Sequence, residues 1–195
     1  PHYLKVVSTP KHFAANNEEH NRFECNAIIS ERSLRSYYLP GFKALITEGK
    51  AQSVMSAYNA INGIPCTANK WLLTDILRKE WGFNGYVVSD CGAAEYIFNR
   101  HKYASSLPEA AAMAIKAGLD VECGDIFPLN LPAAFETGKV NEDEINNSAF
   151  RILRARFKLG MFDDISLNPY SKISPSVVGC KEHQELALET SRQSI

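Results

Sequence analysis

The fold is decided by the stretch Gly85-Tyr86-Val87-Val88-Ser89-Asp90-Cys91-Gly92. Its centre is β-branched and aromatic and is bounded by glycines, which predicts a buried strand rather than a helix. Asp90 then lies at the carboxyl end of that strand, where α/β barrels and open α/β sheets place their catalytic groups. The stretch therefore predicts an architecture and a candidate nucleophile together.

Composition narrows the class of protein. The chain has 195 residues, of which 45% are hydrophobic and 22% charged, values typical of one globular domain. Its formal charge of −1 gives no electrostatic case for a nucleic acid or an anionic membrane surface as a partner. No run approaches the roughly 20 apolar residues that span a bilayer. The start at Pro1-His2-Tyr3 lacks Met and is no signal peptide, which predicts that the chain begins partway through a longer one.

Short apolar runs alternate with amphipathic stretches along the chain. Besides the central strand, the runs are Leu4–Ser8, Gln52–Ser56 and Gly118–Val121. Helices are predicted from a Ser30 cap with an interruption at Pro40, and over Thr67–Trp81, Leu107–Ala117 and Asn141–Lys158. This alternation predicts a parallel sheet, either doubly wound or half of an eight-stranded barrel. No Gly-x-Gly-x-x-Gly or Gly-Lys-Ser/Thr loop follows a strand, so nucleotide binding has little sequence support.

The end of the chain and the cysteines carry separate information. Asp163–Gly179 is rich in Asn, Pro and Ser and predicts a linker, after which Glu182–Ile195 begins another helix.

Five cysteines are scattered without a Cys-x-x-Cys pair, so no zinc site is predicted. Their odd number leaves at least one thiol free or paired with another molecule.

Polar residues recur where the predicted strands end. They are found in Lys11-His12-Phe13, Met55–Asn59, Ser89-Asp90-Cys91 and Asp120–Gly124. In a parallel barrel these positions converge on one mouth, as a catalytic constellation requires.

Three of these segments carry a resemblance to a known family. Lys11-His12-Phe13, Met55-Ser56-Ala57-Tyr58-Asn59-Ala60-Ile61-Asn62-Gly63 and Val87-Val88-Ser89-Asp90 resemble glycoside hydrolase family 3. That family holds retaining, exo-acting β-glycosidases such as β-glucosidases, β-xylosidases and N-acetylglucosaminidases. The Ser-Asp pair alone would be a weak signal, whereas the ordered set is specific. The resemblance covers nearly the whole chain, through Leu159-Gly160-Met161-Phe162-Asp163.

The resemblance implies the domain organisation. Residues 1–162 are expected to form the C-terminal half, about four βα units, of a TIM-type (β/α)8 barrel in an α/β fold. Residues 163–181 are then a linker, and residues 182–195 begin a second α/β domain of the sandwich type. The family's first four strands, its upstream Asp and Arg and its acid/base have no counterpart in the sequence. The expected partners are therefore an oligosaccharide substrate and the remainder of the barrel and second domain, in the same longer chain or a second chain.

The resemblance also assigns residues to roles. Asp90 matches the nucleophile, Lys11 and His12 match the pair that binds sugar hydroxyls, and Met55 and Tyr58 match wall residues of the same subsite. A retaining glycosidase needs an ionised carboxylate and a second group about 5–5.5 Å away that protonates the leaving oxygen. A nearby cation such as Lys11 would keep Asp90 ionised by favouring its charged form. This chemistry requires neither a metal nor a cofactor, and none is predicted.

Each of these residues also has a structural interpretation. Asp90 can be a helix cap, His12 a structural hydrogen-bonding group, Tyr58 a core aromatic and Met55 wall packing. Asp120 and Glu122 end the fourth run, and neither is predicted to be the acid.

Cys91 and Cys123 end neighbouring predicted strands, and either a disulfide or two buried thiols is consistent with the sequence. The cysteine after the aspartate resembles the β-xylosidase branch. A bridge there would narrow the pocket against the hydroxymethyl group of a hexose and favour pentosides.

The predicted function is hydrolysis of terminal β-D-xylosyl or β-D-glucosyl residues through a covalent glycosyl-Asp90 intermediate. Two alternatives stay open: a non-catalytic carbohydrate-binding fragment, and a barrel lyase that forms a Schiff base on Lys11. The resemblance to enzymes that degrade polysaccharides implies a periplasmic or secreted protein.

Overall fold

The structure, a computed structural model, describes residues 2–194. The strands are β1 (Asn26–Ala27), β2 (Ser53–Ser56), β3 (Ala60–Ile61), β4 (Ile64–Pro65) and β5 (Tyr86–Ser89). The α-helices are α1 (Glu31–Ser33), α2 (Pro40–Thr47), α3 (Ala93–Asn99), α4 (Leu107–Ala117), α5 (Ile126–Glu136), α6 (Glu142–Lys158) and α7 (Lys181–Gln193). Two π-helical segments cover Leu34–Tyr38 and Trp71–Glu80, and 3-10 turns cover Cys66–Ala68, Ile165–Leu167, Pro169–Lys172 and Pro175–Val177.

The centre of this α/β fold is the parallel pair of β2 and β5. The extended segment 8–13 lies along the outer side of β2, where Phe13 N–H donates to the Met55 carbonyl at 2.8 Å. The segment 119–121 lies along the other side of β5, and Ser89 N–H donates to the Val121 carbonyl at 3.0 Å. Four parallel extended segments therefore lie side by side in chain order.

The predicted strands at Gln52–Ser56 and Tyr86–Ser89 are confirmed by β2 and β5. The strand predicted at Leu4–Ser8 is wrong. Leu4 N–H donates to the Lys158 carbonyl at the end of α6, so the chain joins the sheet only from Ser8 onward. The fourth predicted strand, Gly118–Val121, is shorter in the structure than expected, because its bridge to β5 joins only Val88 and Val121.

The two faces of this sheet differ in burial. On one face, here called the covered face, Val54 and Val87 are fully buried in the same core as the side chains of the π-helix and α4. On the other, the open face, Met55, Tyr86 and Val88 are only half-buried, while Ser53 at the start of β2 is fully buried. The alternation follows from strand geometry, because successive side chains point to opposite faces. The apolar core thus lies on the covered face alone.

Local signals explain the helices that were predicted correctly. The Ser30 side chain accepts from Ser33 N–H and caps α1, while Asn141 and Glu144 form a capping box at α6. α4 spans the predicted Leu107–Ala117 and ends at Gly118, whose φ of +114° favours glycine. Pro40 begins α2, where the missing N–H costs nothing.

Other helices were misjudged. The stretch predicted as Thr67–Trp81 is a 3-10 turn followed by a π-helix, and α3 and α5 were not predicted. The last predicted helix corresponds to α7, although its final residue, Ile195, lies outside the described residues.

A small second sheet was also missed. It has the order β1-β3-β4, and the two-residue turn between β3 and β4 uses Asn62 and Gly63, both with positive φ. Asn62 also bonds to both backbone groups of Ile29, which fixes this sheet against the segment before α1. None of the helices within residues 2–194 is long and apolar enough to cross a membrane.

Candidate active site

Asp90 lies immediately after β5, and its carboxylate is held from two directions. Cys91 N–H donates to Oδ1 at 2.8 Å, and His12 Nε2 lies 3.1 Å from Oδ2. The backbone of Asp90 is fixed to β2, since its N–H donates to the Ser56 carbonyl at 3.1 Å. The side chains of His12 and Asp90 remain 26% and 14% exposed, so a ligand can reach both.

A tight turn follows the aspartate. Ala93 N–H donates to the Asp90 carbonyl at 3.0 Å, and α3 begins at Ala93. Gly92 has a φ of +81°, a left-handed conformation that a side chain would strain. Because this turn is fixed at both ends, the carboxylate is presented in a defined direction.

Tyr58 packs beside the same turn. Its hydroxyl donates to the Cys91 carbonyl at 3.0 Å. Burial, followed by the negative charge of Asp90, raises the pKa of Tyr58 to about 12. The phenol therefore stays protonated at neutral pH and keeps its role as a donor.

Met55 belongs to the open face, and its strand partner is Val88, two residues before Asp90. The half-buried thioether is thus one strand away from the nucleophile candidate, in the region assigned to the pocket wall.

Lys11 borders the region of Asp90 but is not ion-paired with it in the part of the chain that the structure describes. Its side chain is exposed and borders a cavity of about 390 Å³ together with His12, Asn16 and Tyr37. Within residues 2–194, no carboxylate oxygen lies within the 4.0 Å of the Lys11 amine that defines an ion pair. His12 occupies the position beside Asp90 instead.

Cys91 and Cys123 form a disulfide with a Cα–Cα distance of 4.3 Å. Of the two interpretations left open by the sequence, the bridge is confirmed, whereas the pair of buried thiols is wrong. The bond joins the residue after Asp90 to the end of the neighbouring extended segment. Cys25, Cys66 and Cys180 are free.

Asp120, in the neighbouring extended segment, lies in a very different environment from Asp90. The Asp120 side chain is fully buried and lies 2.6 Å from Arg78 and 2.7 Å from Arg151. It also accepts from Val87 N–H at 2.7 Å, so three donors hold this buried carboxylate. Glu122 is half-buried, and burial raises the pKa of its carboxyl group.

An aromatic cluster beside Asp90 was missed by the sequence analysis. The ring centroids of Phe23, Tyr58 and Tyr96 lie 4.9–5.6 Å apart. Arg22 covers the cluster, with its guanidinium 4.9 Å from the Phe23 ring centroid, and also pairs with Glu19 at 3.4 Å. The available signal was the apolar helical spacing after Gly92, which places Tyr96 one turn into α3.

Chemically, the arrangement offers an accessible carboxylate beside an imidazole, at the end of a parallel strand and next to a rigid turn. Such a carboxylate can attack an electrophilic carbon or accept hydrogen bonds from hydroxyl groups.

Comparison with known proteins identifies the family. The sequence model described as "Glycosyl hydrolase family 3 N terminal domain" matches residues 2–155. The chain is 38% identical to a probable exo-1,4-β-xylosidase of Aspergillus flavus, over 100% of this chain and 26% of the relative. It is 39% identical to β-D-xylosidase 1 of Arabidopsis thaliana, over 98% of this chain and 25% of the relative.

Solved structures agree with the sequence matches. The chain resembles a GH3 exo-β-xylosidase solved with a xylobiose aziridine probe, with a TM-score of 0.85 and 36% identity. That alignment covers 89% of this chain and 23% of the other. For a β-glucosidase from Listeria innocua solved with glucose, the TM-score is 0.77 at 35% identity, covering 86% of this chain and 23% of that one. The chain thus spans about a quarter of the length of these relatives, and it belongs to glycosyl hydrolase family 3.

Proposed function

We propose that the chain forms part of the catalytic domain of a retaining, exo-acting β-glycosidase in which Asp90 is the nucleophile. The observation that carries this proposal is the Asp90 carboxylate itself, which is accessible at the end of β5 and lies 3.1 Å from His12. The relatives named as β-xylosidases and the β-glucosidase solved with glucose give the substrate class.

The fold supports a specific division of the chain. Residues 1–162 form the C-terminal half of a (β/α)8 barrel, residues 163–181 a linker and residues 182–195 the start of a second α/β domain. Four parallel segments in chain order are what half of such a barrel requires. The half-buried open face would then meet the remaining strands, which lie in the same longer chain or in a second chain.

The reaction follows from the positions of the residues. Asp90 attacks the anomeric carbon of the terminal sugar, and the bond to the leaving oxygen breaks as the new bond forms. The group that protonates the leaving oxygen lies outside this chain. Water then releases the sugar from Asp90, with net retention of configuration.

Neighbouring residues bind the sugar and hold the carboxylate in place. His12 Nε2 lies 3.1 Å from one oxygen of Asp90 and Cys91 N–H donates to the other, so both oxygens are fixed in direction. Lys11 and His12 bind the sugar hydroxyls, while Met55 and Tyr58 form the wall of the subsite. Exposed Lys11 is poorly suited to Schiff-base chemistry, which requires a desolvated amine.

We further propose a preference for xylosides over glucosides. The disulfide joins Cys91, next to the nucleophile, to Cys123 at the end of the neighbouring segment. A bridge in that position takes space that the hydroxymethyl group of a hexose would need.

Trapping of the covalent intermediate tests the proposal. The protein is incubated with 2-deoxy-2-fluoro xyloside and glucoside probes that carry dinitrophenyl leaving groups, and the adduct is located by peptide mass mapping. Such leaving groups need no proton, so the nucleophile reacts even where the acid is missing. We expect one sugar on Asp90, faster labelling by the xyloside, and no adduct on Asp90→Asn.

The chain alone and the full-length protein that contains it are tested in parallel. Labelling of the full-length protein only would mean that the remaining strands complete the site. An adduct on another residue would contradict the role of Asp90, and no adduct in either protein would contradict the glycosidase.

A further inference from the structure

The turn that carries Asp90 is tied down by its backbone. Gly92 N–H donates to the Cys123 carbonyl at 2.8 Å, and the disulfide joins Cys91 to the same residue. These contacts hold the turn against the segment that follows α4.

Two tyrosines also contact this turn. The Tyr58 hydroxyl donates to the Cys91 carbonyl at 3.0 Å. The Tyr96 ring lies against Gly92, since a Cβ atom placed on Gly92 would lie 3.3 Å from Tyr96 Cζ and 3.4 Å from its hydroxyl oxygen. The ring therefore fills the space that opens beside the glycine and limits movement of the turn in that direction.

Tyr96 is itself fixed on its outer side. Its ring centroid lies 5.6 Å from that of Tyr58 and 5.4 Å from that of Phe23. Arg100 lies over the ring at 5.7 Å and pairs with Glu24 at 3.0 Å, which ties α3 to the loop before β1. Tyr96 thus stands between the nucleophile turn and an anchored loop.

The contacts of Tyr96 with Tyr58, Phe23 and Arg100 are made by its ring, and near Gly92 the hydroxyl oxygen stands beside the ring atoms Cζ and Cε1. Among residues 2–194, its hydroxyl makes no hydrogen bond, in contrast to the hydroxyl of Tyr58. Removal of the hydroxyl and removal of the ring should therefore have different effects.

We infer that Tyr96 is a positioning residue for the nucleophile: its ring, packed on Gly92, holds the Asp90 carboxylate in line for attack. This inference rests on the proposed function. The position of the nucleophile matters most in the transition state, where a displacement of about 1 Å can cost about 10²-fold in rate. Sugar binding before the attack depends on other groups and should change little.

The step to be measured is the attack alone. An oxygen of Asp90 forms a bond to the anomeric carbon of the 2-fluoro probe while the carbon–oxygen bond to dinitrophenolate breaks. The phenolate oxygen leaves with the electron pair and takes no proton. The rate constant of this step at saturating probe reports the position of the nucleophile, whereas the half-saturating probe concentration reports binding.

The experiment compares three variants of the full-length protein with the parent. Tyr96→Leu removes the ring and Tyr96→Phe removes only the hydroxyl. Phe98→Leu is the matched control, because Phe98 lies on the same helix but packs against the apolar core. We expect Tyr96→Leu to lower the saturating rate constant about 10- to 100-fold, with half-saturation changed less than about 3-fold. Tyr96→Phe and Phe98→Leu should keep the parent rate constant, even where Phe98→Leu lowers the melting temperature.

Three results would overturn the inference while the proposed function stands. The first is a Tyr96→Leu variant that labels as fast as the parent. The second is a Phe98→Leu variant whose rate falls as much per degree of lost melting temperature as that of Tyr96→Leu, which would show that Tyr96 has a structural role only. Equal loss in Tyr96→Phe and Tyr96→Leu would assign the effect to the hydroxyl instead of the ring. Failure of the parent protein to label at Asp90 would instead overturn the proposed function, and the inference with it.

Discussion

Asp90 follows β5 and Asp120 lies in the neighbouring extended segment, and the environments of the two carboxylates are opposite. The Asp120 side chain has no exposed surface and is bonded to two guanidinium groups and a backbone N–H. Asp90 keeps 14% of its side-chain surface and is held by one backbone N–H and one imidazole. A carboxylate with no exposed surface cannot reach a carbon atom of a substrate, whereas one with free lone pairs and access to solvent can. The comparison separates a carboxylate that holds the fold from one available for chemistry.

The largest expected effect comes from Asp90→Asn. Because the amide is a poor nucleophile of nearly the same size, we expect glycoside hydrolysis to fall by about 10⁴-fold or more, with little change in stability. Steady-state kinetics measures the loss of hydrolysis, and thermal unfolding of the same preparation measures the change in stability. Residual activity within tenfold of the parent would contradict this assignment.

Asp120→Asn should behave in the opposite way. Removing the charge leaves Arg78 and Arg151 without their buried partner, and breaking such a cluster costs about 3–5 kcal/mol. Denaturant unfolding measures the free energy lost, and active-site titration with the covalent probe gives the activity per folded molecule, which should stay near that of the parent. A variant as stable as the parent would refute the structural role of Asp120.

The disulfide links the two regions, so its removal should affect both. With a sequence separation of 32 residues, the bridge is expected to contribute about 3–4 kcal/mol through the entropy of the unfolded chain. In Cys91→Ser with Cys123→Ser we also expect the ratio of kcat/KM for xyloside over glucoside to fall about 10-fold. An unchanged ratio would show that the bridge does not exclude hexoses.

The smallest effect concerns Tyr58 and alkaline pH. Burial raises the pKa of Tyr58 from its ordinary value of about 10 to about 12 in the folded protein, so folding favours the protonated phenol. The stability that Tyr58 contributes is therefore complete below pH 10 and is lost as the pH rises towards 12. Between pH 10 and 12, the free energy of unfolding of Tyr58→Phe should therefore fall less steeply with pH than that of the parent, as measured by denaturant unfolding at several pH values. Identical slopes would contradict the raised pKa.

Much of the framework was predictable because its signals are local. β2 and β5 are short apolar runs, and α4 and α6 carry their own caps. α5 was not predicted, since Pro128 and Pro132 lie within it and proline disfavours helix interiors. The first strand was placed too early because apolar Leu4–Ser8 gave no sign that Leu4 pairs with the end of α6.

The candidate site was predictable in its members but less so in its geometry. The resemblance named Asp90 and His12, but the contact between them depends on how two parallel segments align on either side of β2. Among residues 2–194, Lys11 forms no ion pair with Asp90, whereas His12 lies 3.1 Å from its carboxylate. Asp120 was not recognised as buried because its arginine partners lie 42 and 31 residues away in sequence.

Chemical rescue tests the central claim, that Asp90 is the attacking group, most directly. In the full-length Asp90→Ala variant, azide can enter the space of the missing carboxylate and attack a dinitrophenyl β-glycoside from the same side. The account predicts restored turnover with an α-glycosyl azide as the product, identified by NMR. A β-glycosyl azide, or a folded variant that azide does not rescue, would contradict it.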